Sequence, residues 1–299
     1  MKIPMTAVVL TFNEALNLEK CLKSLSGWIG EIYVVDSYST DATLQIAKNY
    51  GAKIFQNKFV SHPNQWSWLL KNLPFVHEWV FAVDADFVIS DELRYFLIKE
   101  FANEDAIKII HGYYVKHCQM FFGKKIRFGG VYRHWLRIFR HREVVVDTYD
   151  LVDTHFNVNG FAKKINCDVI EDNQKDCNMG FWIDKQNRFS QNAAKEELIR
   201  RTNARSWPIR GVLFGLPNER IIFFKKFWMR LPLYLRSIGY FLYRYFFLLG
   251  FLDGRAGFLY HFSQGFLYRL LVDIELDALL FELEAKKTSK HNASDYSWN

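Results

Sequence analysis

The sequence predicts an α/β protein in which a mostly parallel sheet carries helices on both faces, followed by a basic, aromatic-rich helical region. Three observations support this prediction. Strand-like and helix-like apolar patterns alternate from residue 1 to about residue 200. Half of the 299 residues are apolar and 24% are charged, which excludes a disordered or collagen-like chain. From about residue 206 the composition changes, and residues 205–244 are rich in basic and aromatic residues with a single acid.

The elements of the first region follow from apolar spacing and turn residues. Strands are predicted at residues 6–11, 31–36, 53–55 and 79–84. Helices are predicted at residues 16–25, 40–50 and 92–101, the second of them closed by Gly51. Alternation of this kind is typical of parallel sheets, which bind ligands at the carboxyl ends of their strands. The polar residues that follow each strand are therefore the candidate site.

Charge and cysteine content narrow the partners and the compartment. The formal charge of +7 indicates an anionic partner, which is a nucleic acid, a phosphorylated substrate or an acidic membrane. The four cysteines form no CxxC pattern, which predicts reduced and mostly buried thiols in a cytosolic protein. The apolar run at the start is too short for a signal peptide.

The second region predicts a membrane contact. Residues 205–244 carry eight basic residues against one acid, Glu219, with aromatic residues and leucines between them. No uncharged apolar stretch reaches about 18 residues, so a spanning helix is not expected. Helices with aromatic and basic faces lie in the membrane interface. The alternative is a helical subdomain that packs its aromatic residues inward. No RNA-binding motif occurs, so nucleic acid is not an expected partner.

The strongest local signal is Asp84-Ala85-Asp86, directly after the apolar strand at residues 79–83. Two carboxylates at a strand end can reach one hard cation, which Mg²⁺ or Mn²⁺ would share with substrate phosphates. The alternative interpretation is a pair of solvated turn aspartates.

Two further strand ends carry polar residues. Asp36 ends the second strand, and an acid at such a position often accepts hydrogen bonds from a ribose or a base. In the segment from Thr11 to Glu14, Asn13 is a natural N-cap and Glu14 suits the first turn of a helix. The functional interpretation places this turn against the base or the phosphates of a nucleotide.

Together these segments resemble the N-terminal motifs of inverting family 2 glycosyltransferases with the GT-A fold. The matching segments are Val8-Val-Leu-Thr-Phe-Asn-Glu14, Val34-Val-Asp-Ser-Tyr-Ser-Thr-Asp41 and Ala82-Val-Asp-Ala-Asp86. Segments at 128–132, 136–140, 152–160 and 250–258 resemble the bacterial branch that builds lipopolysaccharide cores and exopolysaccharide repeat units. The resemblance implies a Rossmann-like catalytic domain over residues 1–205 that binds a nucleotide-diphosphate sugar. A helical acceptor and membrane-interface region at 206–285 and a disordered tail at 286–299 would follow.

The resemblance also implies roles for individual residues. Four of them would face the base and ribose of the donor, namely Thr11, Asn13, Glu14 and Asp36. Asp86, helped by Asp84 and with Ala85 between them, would hold Mn²⁺ or Mg²⁺ on the diphosphate. Gln65 falls where the family often has a Gln-x-Asn donor element, although Ser67 takes the third place here. Three more residues would contact the diphosphate or the acceptor, namely Arg127, Gln186 and Arg188.

Inversion requires a base on the opposite face of the sugar that takes the proton of the acceptor hydroxyl. The candidates beyond the metal motif are Asp150, Asp153, Glu171 and Asp172. The segments at 169–175 and 182–189 resemble the acidic pair and the Gln-x-Arg-aromatic element of the branch. We therefore favour Asp172, with Glu171 as its close rival and Asp153 below both.

The predicted protein is a cytoplasmic enzyme, peripheral on the inner face of the cytoplasmic membrane. It would move a sugar, with inversion, from a nucleotide-diphosphate sugar to a hydroxyl of a lipid-linked saccharide or a lipopolysaccharide core. One alternative is a polyprenyl-phosphate sugar synthase, whose acceptor is a phosphate. Another is a non-catalytic membrane-bound scaffold with a degenerate site.

Overall fold

A computed structural model describes residues 2–147, 150–152, 154–202, 207 and 209–295, without the side chains of Cys177 and residues 287–295. The strands are β1 Ile3–Thr11, β2 Ile29–Asp36, β3 Lys53–Gln56, β4 Trp79–Asp84, β5 Phe87–Ile89, β6 Gly112–Phe121, β7 Lys124–Ile126, β8 Arg133–Arg140, β9 Val144–Val146, β10 Phe156–Val158 and β11 Ala162–Glu171. The helices are α1 Leu18–Leu25, α2 Thr43–Asn49, α3 His62–Asn72, α4 Asp91–Phe101, α5 Glu104–Ile107, α6 Met179–Arg201, α7 Pro217–Trp228, α8 Leu235–Leu242, α9 Gly254–Tyr260 and α10 Tyr268–Asp295.

The main sheet has a parallel half and a mixed half. Its strand order is β3-β2-β1-β4-β8-β6-β11-β5, with β7 paired to β6. The first four strands are parallel to one another, as the alternating pattern predicts. Beyond β4, strand β8 runs antiparallel to both of its neighbours, while β11 is parallel to β6. The predicted α/β class is confirmed, and the antiparallel strands extend the parallel unit.

Helices cover both faces of the parallel half because successive side chains of a strand point to opposite faces. Val9 of β1 packs into a core with Leu22 of α1 and Leu97 of α4. Val8, its neighbour, packs on the other face with Trp66 and Leu69 of α3. All six side chains are at most 1% exposed. Full burial of such a side chain contributes about 1.5–3 kcal/mol to stability.

The C-terminal helices bury two arginines and expose many apolar side chains. Arg236 and Arg244 are only 3% and 6% exposed, while Phe247 is 78% exposed. Two 3-10 segments, Gln174–Cys177 and Gly250–Asp253, and two π-helical segments, Tyr243–Phe247 and His261–Leu267, connect the helices. In the part of the chain that the structure describes, no helix combines the length and the apolar character that crossing a membrane requires.

Three cysteines lie in this fold as free thiols. Cys21, Cys118 and Cys167 are all buried, as the absence of paired-cysteine motifs predicts. The last helix, α10, extends beyond residue 285, where the sequence predicts the start of a polar tail. The division of the chain into three segments stays a prediction.

Candidate active site

Asp36 joins the first two strand-to-helix turns at the carboxyl ends of β1 and β2. Its side chain is fully buried. The carboxylate accepts hydrogen bonds from the Thr11 hydroxyl at 3.0 Å and from the Ser39 amide at 2.9 Å. Gln56 of β3 donates to the same carboxylate at 3.3 Å. Asp36 therefore fixes the turns around this edge, and its predicted contact with a ribose or base stays a prediction.

Asn13 and Glu14 lie in the β1–α1 turn, but the predicted N-cap role of Asn13 is wrong. Asn13 has a left-handed backbone with φ of 53°, and its side-chain oxygen accepts the Thr40 amide at 2.8 Å. The N-cap position of α1 is Asn17. The Glu14 carboxylate accepts hydrogen bonds from Asn17 Nδ2 at 2.8 Å and from Lys175 Nζ at 2.6 Å. The turn thus connects β1 to the segment that follows β11.

Gln65 lies on α3, and its buried side chain approaches the same edge of the sheet. It is 1% exposed, and its Oε1 accepts a hydrogen bond from Asn57 Nδ2 at 2.7 Å. The Asn57 amide in turn donates to the Asp36 carbonyl at 3.1 Å. Gln65 therefore supports the turn after β3, and its predicted donor contact stays a prediction.

Asp84, Ala85 and Asp86 stand where β4 ends, with alternating surroundings. Ala85 is 4% exposed and belongs to the core beneath α1 and α4. Arg137 of β8 donates to Asp84 Oδ2 at 3.1 Å. Asn173 donates from Nδ2 to Asp86 Oδ2 at 3.0 Å. The two carboxylates lie at one edge, as the spacing of the motif predicts.

The Asp86 carboxylate lies in an environment that is short of positive charge. Burial raises its pKa well above the ordinary value, and the negative charges of Glu171, Asp84 and Glu14 raise it further. Lys185 of α6 has the opposite effect on this pKa. A cation bound here would remove the repulsion between these carboxylates.

The donor set suits a hard cation that is shared with a substrate. Magnesium and manganese take oxygen ligands and commonly bind through one or two carboxylates plus substrate phosphates. Among the described residues, no group of three or more His, Cys, Asp or Glu side chains is arranged to hold a metal alone. Asp84 and Asp86 therefore fit a cation that arrives with a diphosphate.

Glu171 and Asp172 occupy different surroundings, although they are neighbours in sequence. Glu171 ends β11, and its Oε2 lies 2.8 Å from Nε2 of His117. The geometry of this contact is not that of a hydrogen bond, so the carboxylate and the imidazole form an ion pair when the imidazole is protonated. Burial opposes ionisation of Glu171, but the close His117 ring and Lys185 lower its pKa to about 2. Asp172 instead pairs with Lys20 at the protein surface.

A cavity of about 350 Å³ lies between the mixed half of the sheet and the C-terminal helices. Strands β6, β8 and β11 and helices α6, α7, α8 and α10 contribute its walls. Glu171, His117 and Lys185 line it, and aromatic side chains cover much of the rest. Asp84, Asp86 and Asp172 are not lining residues. Of the acids considered as a base, Glu171 alone among the described ones faces this cavity.

The remaining predicted site residues lie apart from one another. Gln186 is 3% exposed and lines the cavity, whereas Arg188 is exposed on the other side of α6. The backbone amide of Arg127 donates to Asp253 at 2.9 Å, and its side chain is exposed. Asp150 is 2% exposed and pairs with His155. Asp153 lies outside the described residues.

Two residues at the site have no motif that would identify them from sequence. Asn173 binds Asp86 and also contacts Asn17 of the α1 cap at 3.2 Å. Lys185 binds both oxygens of Asp176 at 3.2 Å, and burial lowers its pKa while the facing carboxylates raise it above the ordinary value. A local signal exists only for Asn173, which directly follows the acidic pair.

Comparison with known proteins gives partial matches. A protein of Rickettsia felis named as an uncharacterized glycosyltransferase is 34% identical over 89 residues, which are 30% of this chain and 31% of that protein. The lipopolysaccharide core biosynthesis glycosyltransferase LpsC of Rhizobium meliloti is 32% identical over 111 residues, or 36% of this chain and 40% of LpsC. The matched region thus spans less than half of each relative.

A solved structure also aligns with part of the chain. Glucosyl-3-phosphoglycerate synthase from Mycobacterium tuberculosis, in complex with Mn²⁺, UDP and glucosyl-3-phosphoglycerate, is 18% identical with a TM-score of 0.31. The alignment covers 38% of this chain and 44% of that one. The family model of glycosyl transferase family 2 matches residues 6–169, which contain most of β1, both Asp84 and Asp86, and most of β11. Because this match covers more than half of the chain, the protein belongs to glycosyl transferase family 2.

Proposed function

We propose that the protein transfers a sugar, with inversion, from a nucleotide-diphosphate sugar to a hydroxyl of a lipid-linked saccharide or a lipopolysaccharide core. The observation that carries this proposal is the adjacency of two acidic positions. Asp86 follows β4 and Glu171 ends β11, and the Asp172 amide donates to the Asp86 carbonyl at 2.9 Å. A donor at the first position and an acceptor at the second would meet at one edge of the sheet.

The donor side would use Asp86 and Asp84 to hold Mn²⁺ or Mg²⁺ against the diphosphate. When bound, the cation stabilises the negative charge that develops on the leaving nucleoside diphosphate. Lys185 supplies a second positive charge beside Asp86. Asn173 orients the Asp86 carboxylate through its hydrogen bond. Thr11, Asn13, Glu14 and Asp36 would shape the surface that receives the base and ribose.

The acceptor side would use Glu171 rather than Asp172 as the base. The acceptor hydroxyl gives its proton to the Glu171 carboxylate, and its oxygen forms a bond to the anomeric carbon. The bond from that carbon to the diphosphate breaks on the opposite face, and its electron pair leaves with the nucleoside diphosphate. Glu171 is favoured because it lines a cavity in which an acceptor has room, whereas Asp172 is paired with Lys20 outside it.

Two observations support an acceptor at a membrane. The relative LpsC is named for lipopolysaccharide core biosynthesis. The outward face from α8 to α9 also exposes apolar side chains, namely Leu235, Ile238, Leu242, Tyr243, Phe246, Phe247, Leu249, Phe251, Leu252 and Phe258. We define these ten side chains as the apolar face. Clusters of exposed apolar side chains are typical of interaction sites. Lys226, Arg230 and Arg255 are exposed in the same region and would suit an anionic leaflet. In our proposal the protein therefore binds to the inner face of the cytoplasmic membrane.

Donor turnover tests the proposed activity. Purified protein with Mn²⁺ is incubated with a panel of sugar nucleotides, and release of nucleoside diphosphate is measured. We expect release with one donor class, and a loss of roughly 10²-fold or more in Asp86→Asn, because several kcal/mol of charge stabilisation depend on the cation. Asp91→Asn is the matched control, since the Asp91 side chain is 79% exposed. Equal turnover by the Asp86 variant and the wild type would exclude the proposed donor site.

A further inference from the structure

Three arginine side chains converge on Tyr240 in the wall of the cavity. Arg133 of β8 donates from Nη2 to the Tyr240 hydroxyl at 3.3 Å. The guanidinium carbons of Arg244 and Arg269 lie 5.4 Å and 5.7 Å from the centre of the Tyr240 ring. The three arginines come from a strand, a π-helical segment and helix α10. The tertiary fold therefore assembles this cluster from residues that are far apart in sequence.

Arg244 and Arg269 differ in their ion pairing from a neighbouring arginine of the same helical region. Arg236, in the same region, is neutralised by Asp273 and Glu197. Within the described part of the chain, no such ion pair joins Arg244 or Arg269 to a carboxylate, although Arg244 is only 6% exposed. Arg244 Nε donates to the Gly129 carbonyl at 2.7 Å, which holds the side chain without neutralising it. A buried charge of this kind is costly unless an anion joins it.

The pKa of the Tyr240 phenol reflects the positive charges of the three arginines. Burial opposes ionisation of its phenol, but Arg244, Arg133 and Arg269 lower the pKa to about 7. The cluster thus favours a negative charge at the position of the hydroxyl group.

The cavity places this cluster on the acceptor side of the proposed reaction. Glu171 and Tyr260 line the same cavity, and the charges of Arg244 and Glu171 both act on the Tyr260 hydroxyl. Trp135, Trp228 and Tyr268 supply aromatic faces along the wall. Asp84 and Asp86 do not line it. A molecule in the cavity would therefore reach Glu171 with one group and the arginines with another.

We propose that Arg133, Arg244 and Arg269, together with Tyr240, form a subsite for an anionic group of the acceptor, either a phosphate or a carboxylate. Guanidinium forks match the oxygen geometry of both groups. The inference rests on the proposed function and gives the acceptor a chemical class, an acidic saccharide. The donor diphosphate shares this anionic chemistry, so the experiment has to separate the two sources.

Isothermal titration of Arg269→Gln separates them. The probes are mannose 6-phosphate, mannose, and a nucleoside diphosphate with Mn²⁺. We expect the wild type to bind the sugar phosphate more tightly than the neutral sugar. The affinity of Arg269→Gln for the sugar phosphate should be about 10- to 100-fold lower than that of the wild type. The nucleotide affinity should change less than twofold. Arg142→Gln, which removes an exposed arginine that does not line the cavity, should leave all affinities unchanged.

Each other outcome has one meaning. A parallel loss of nucleotide affinity in Arg269→Gln would assign the arginines to the donor diphosphate and overturn the acceptor subsite. Unchanged sugar-phosphate affinity in Arg269→Gln and in the double variant with Arg133→Gln would also overturn it. Failure of the wild type to bind any nucleotide with Mn²⁺ would refute the proposed function instead. Circular dichroism and thermal unfolding verify that each variant is folded.

Discussion

Glu171 faces His117 inside the cavity, while the next residue, Asp172, pairs with Lys20 on the outside. The two carboxylates leave the end of β11 in different directions because successive side chains of a strand alternate. The sequence favours Asp172 as the base, by resemblance to the acidic pair of the family branch. Among the candidate acids that the structure describes, Glu171 is the one that lines the cavity, so our proposal assigns the base there.

Glu171→Gln should lower sugar transfer by roughly 10²- to 10⁴-fold, which is the usual contribution of a positioned general base. Asp172→Asn is the matched comparison, and we expect its effect to be much smaller because it loses a surface ion pair. The measurement is kcat for transfer to a saccharide acceptor with saturating donor. A larger loss in Asp172→Asn than in Glu171→Gln would reverse the assignment.

The same pair of variants separates a hydroxyl acceptor from a phosphate acceptor. A phosphate monoester is already ionised at neutral pH and needs no base, so a polyprenyl-phosphate synthase would tolerate Glu171→Gln. The assay compares the two variants with a saccharide acceptor and with a short-chain polyprenyl phosphate. Efficient transfer to the polyprenyl phosphate by Glu171→Gln would favour the alternative enzyme class.

Membrane binding should depend on the apolar face and on Lys226. We expect Phe247→Ser with Leu252→Ser to reduce sedimentation with vesicles that contain anionic lipid, because both side chains are more than half exposed. Lys226→Glu should also weaken binding, and added salt should weaken wild-type binding. Phe281→Ser is the control, since Phe281 is 74% exposed on α10 outside the apolar face.

Lys225, the residue before Lys226, is not suitable for a charge-reversal test of membrane binding. Its amine lies 3.1 Å from Glu196 and packs over the Trp207 ring, so Lys225→Glu would break this ion pair and place two carboxylates side by side. Vesicle binding that is the same for the wild type and Phe247→Ser with Leu252→Ser would contradict the proposed membrane contact.

The anion affinity of the arginine subsite should fall as the pH rises through about 7. Arg244, Arg133 and Arg269 face the Tyr240 phenol, with Tyr260 beside it, and they lower the Tyr240 pKa to about 7. Above that pH the phenolate neutralises the arginines and competes with a bound phosphate. Binding of mannose 6-phosphate near pH 7.5 should therefore take up protons, which titration in buffers of different ionisation enthalpy measures.

Tyr240→Phe is the control for this pH dependence. The variant keeps the three arginines but has no phenol, so its affinity for mannose 6-phosphate should stay nearly level from about pH 6.5 to about pH 8.5. The linkage to stability has the matching sign, because a depressed pKa stabilises the fold at high pH and the gain is lost as the pH falls through about 7. An equal pH dependence in both proteins would show that another group titrates.

The buried pair of Arg236 and Asp273 should dominate the stability of the C-terminal helices. Asp273 is fully buried and accepts hydrogen bonds from Arg236 Nε and Ser237 Oγ, both at 2.7 Å. Asp273→Ala leaves Arg236 only partly neutralised, so we expect a loss of about 3–5 kcal/mol in the free energy of unfolding. Asp277→Asn, one turn further on an exposed face, should cost less than about 1 kcal/mol. Denaturant titration compares the two variants.

Local sequence patterns predict the parallel half of the main sheet. Strands β1, β2, β3 and β4 have short apolar runs, and the polar residue after each run marks its carboxyl end, which is how Asp36 and Asp84 are found. Strand directions beyond β4 are not predictable in this way, because an apolar run has the same periodicity in parallel and antiparallel pairs.

The parts of the site that depend on long-range packing cannot be predicted from local patterns. Asn173 contacts Asp86 across 87 positions of sequence, and Lys185 approaches it from a different helix. The orientation of the C-terminal helices is also hidden. Arg236 and Arg244 look like the polar face of an interfacial helix, but acids on distant helices pair with Arg236, and a backbone carbonyl holds Arg244.

The central claim is that the edge bearing Asp84 and Asp86 binds a nucleoside diphosphate together with a divalent cation. Its most direct test is calorimetric titration of the wild type, Asp86→Asn and Asp91→Asn with a panel of nucleoside diphosphates, with and without Mn²⁺. We predict that the wild type and Asp91→Asn bind a nucleotide and require Mn²⁺ to do so. This binding should be lost in Asp86→Asn. Nucleotide binding by Asp86→Asn with wild-type affinity and metal dependence would contradict the account.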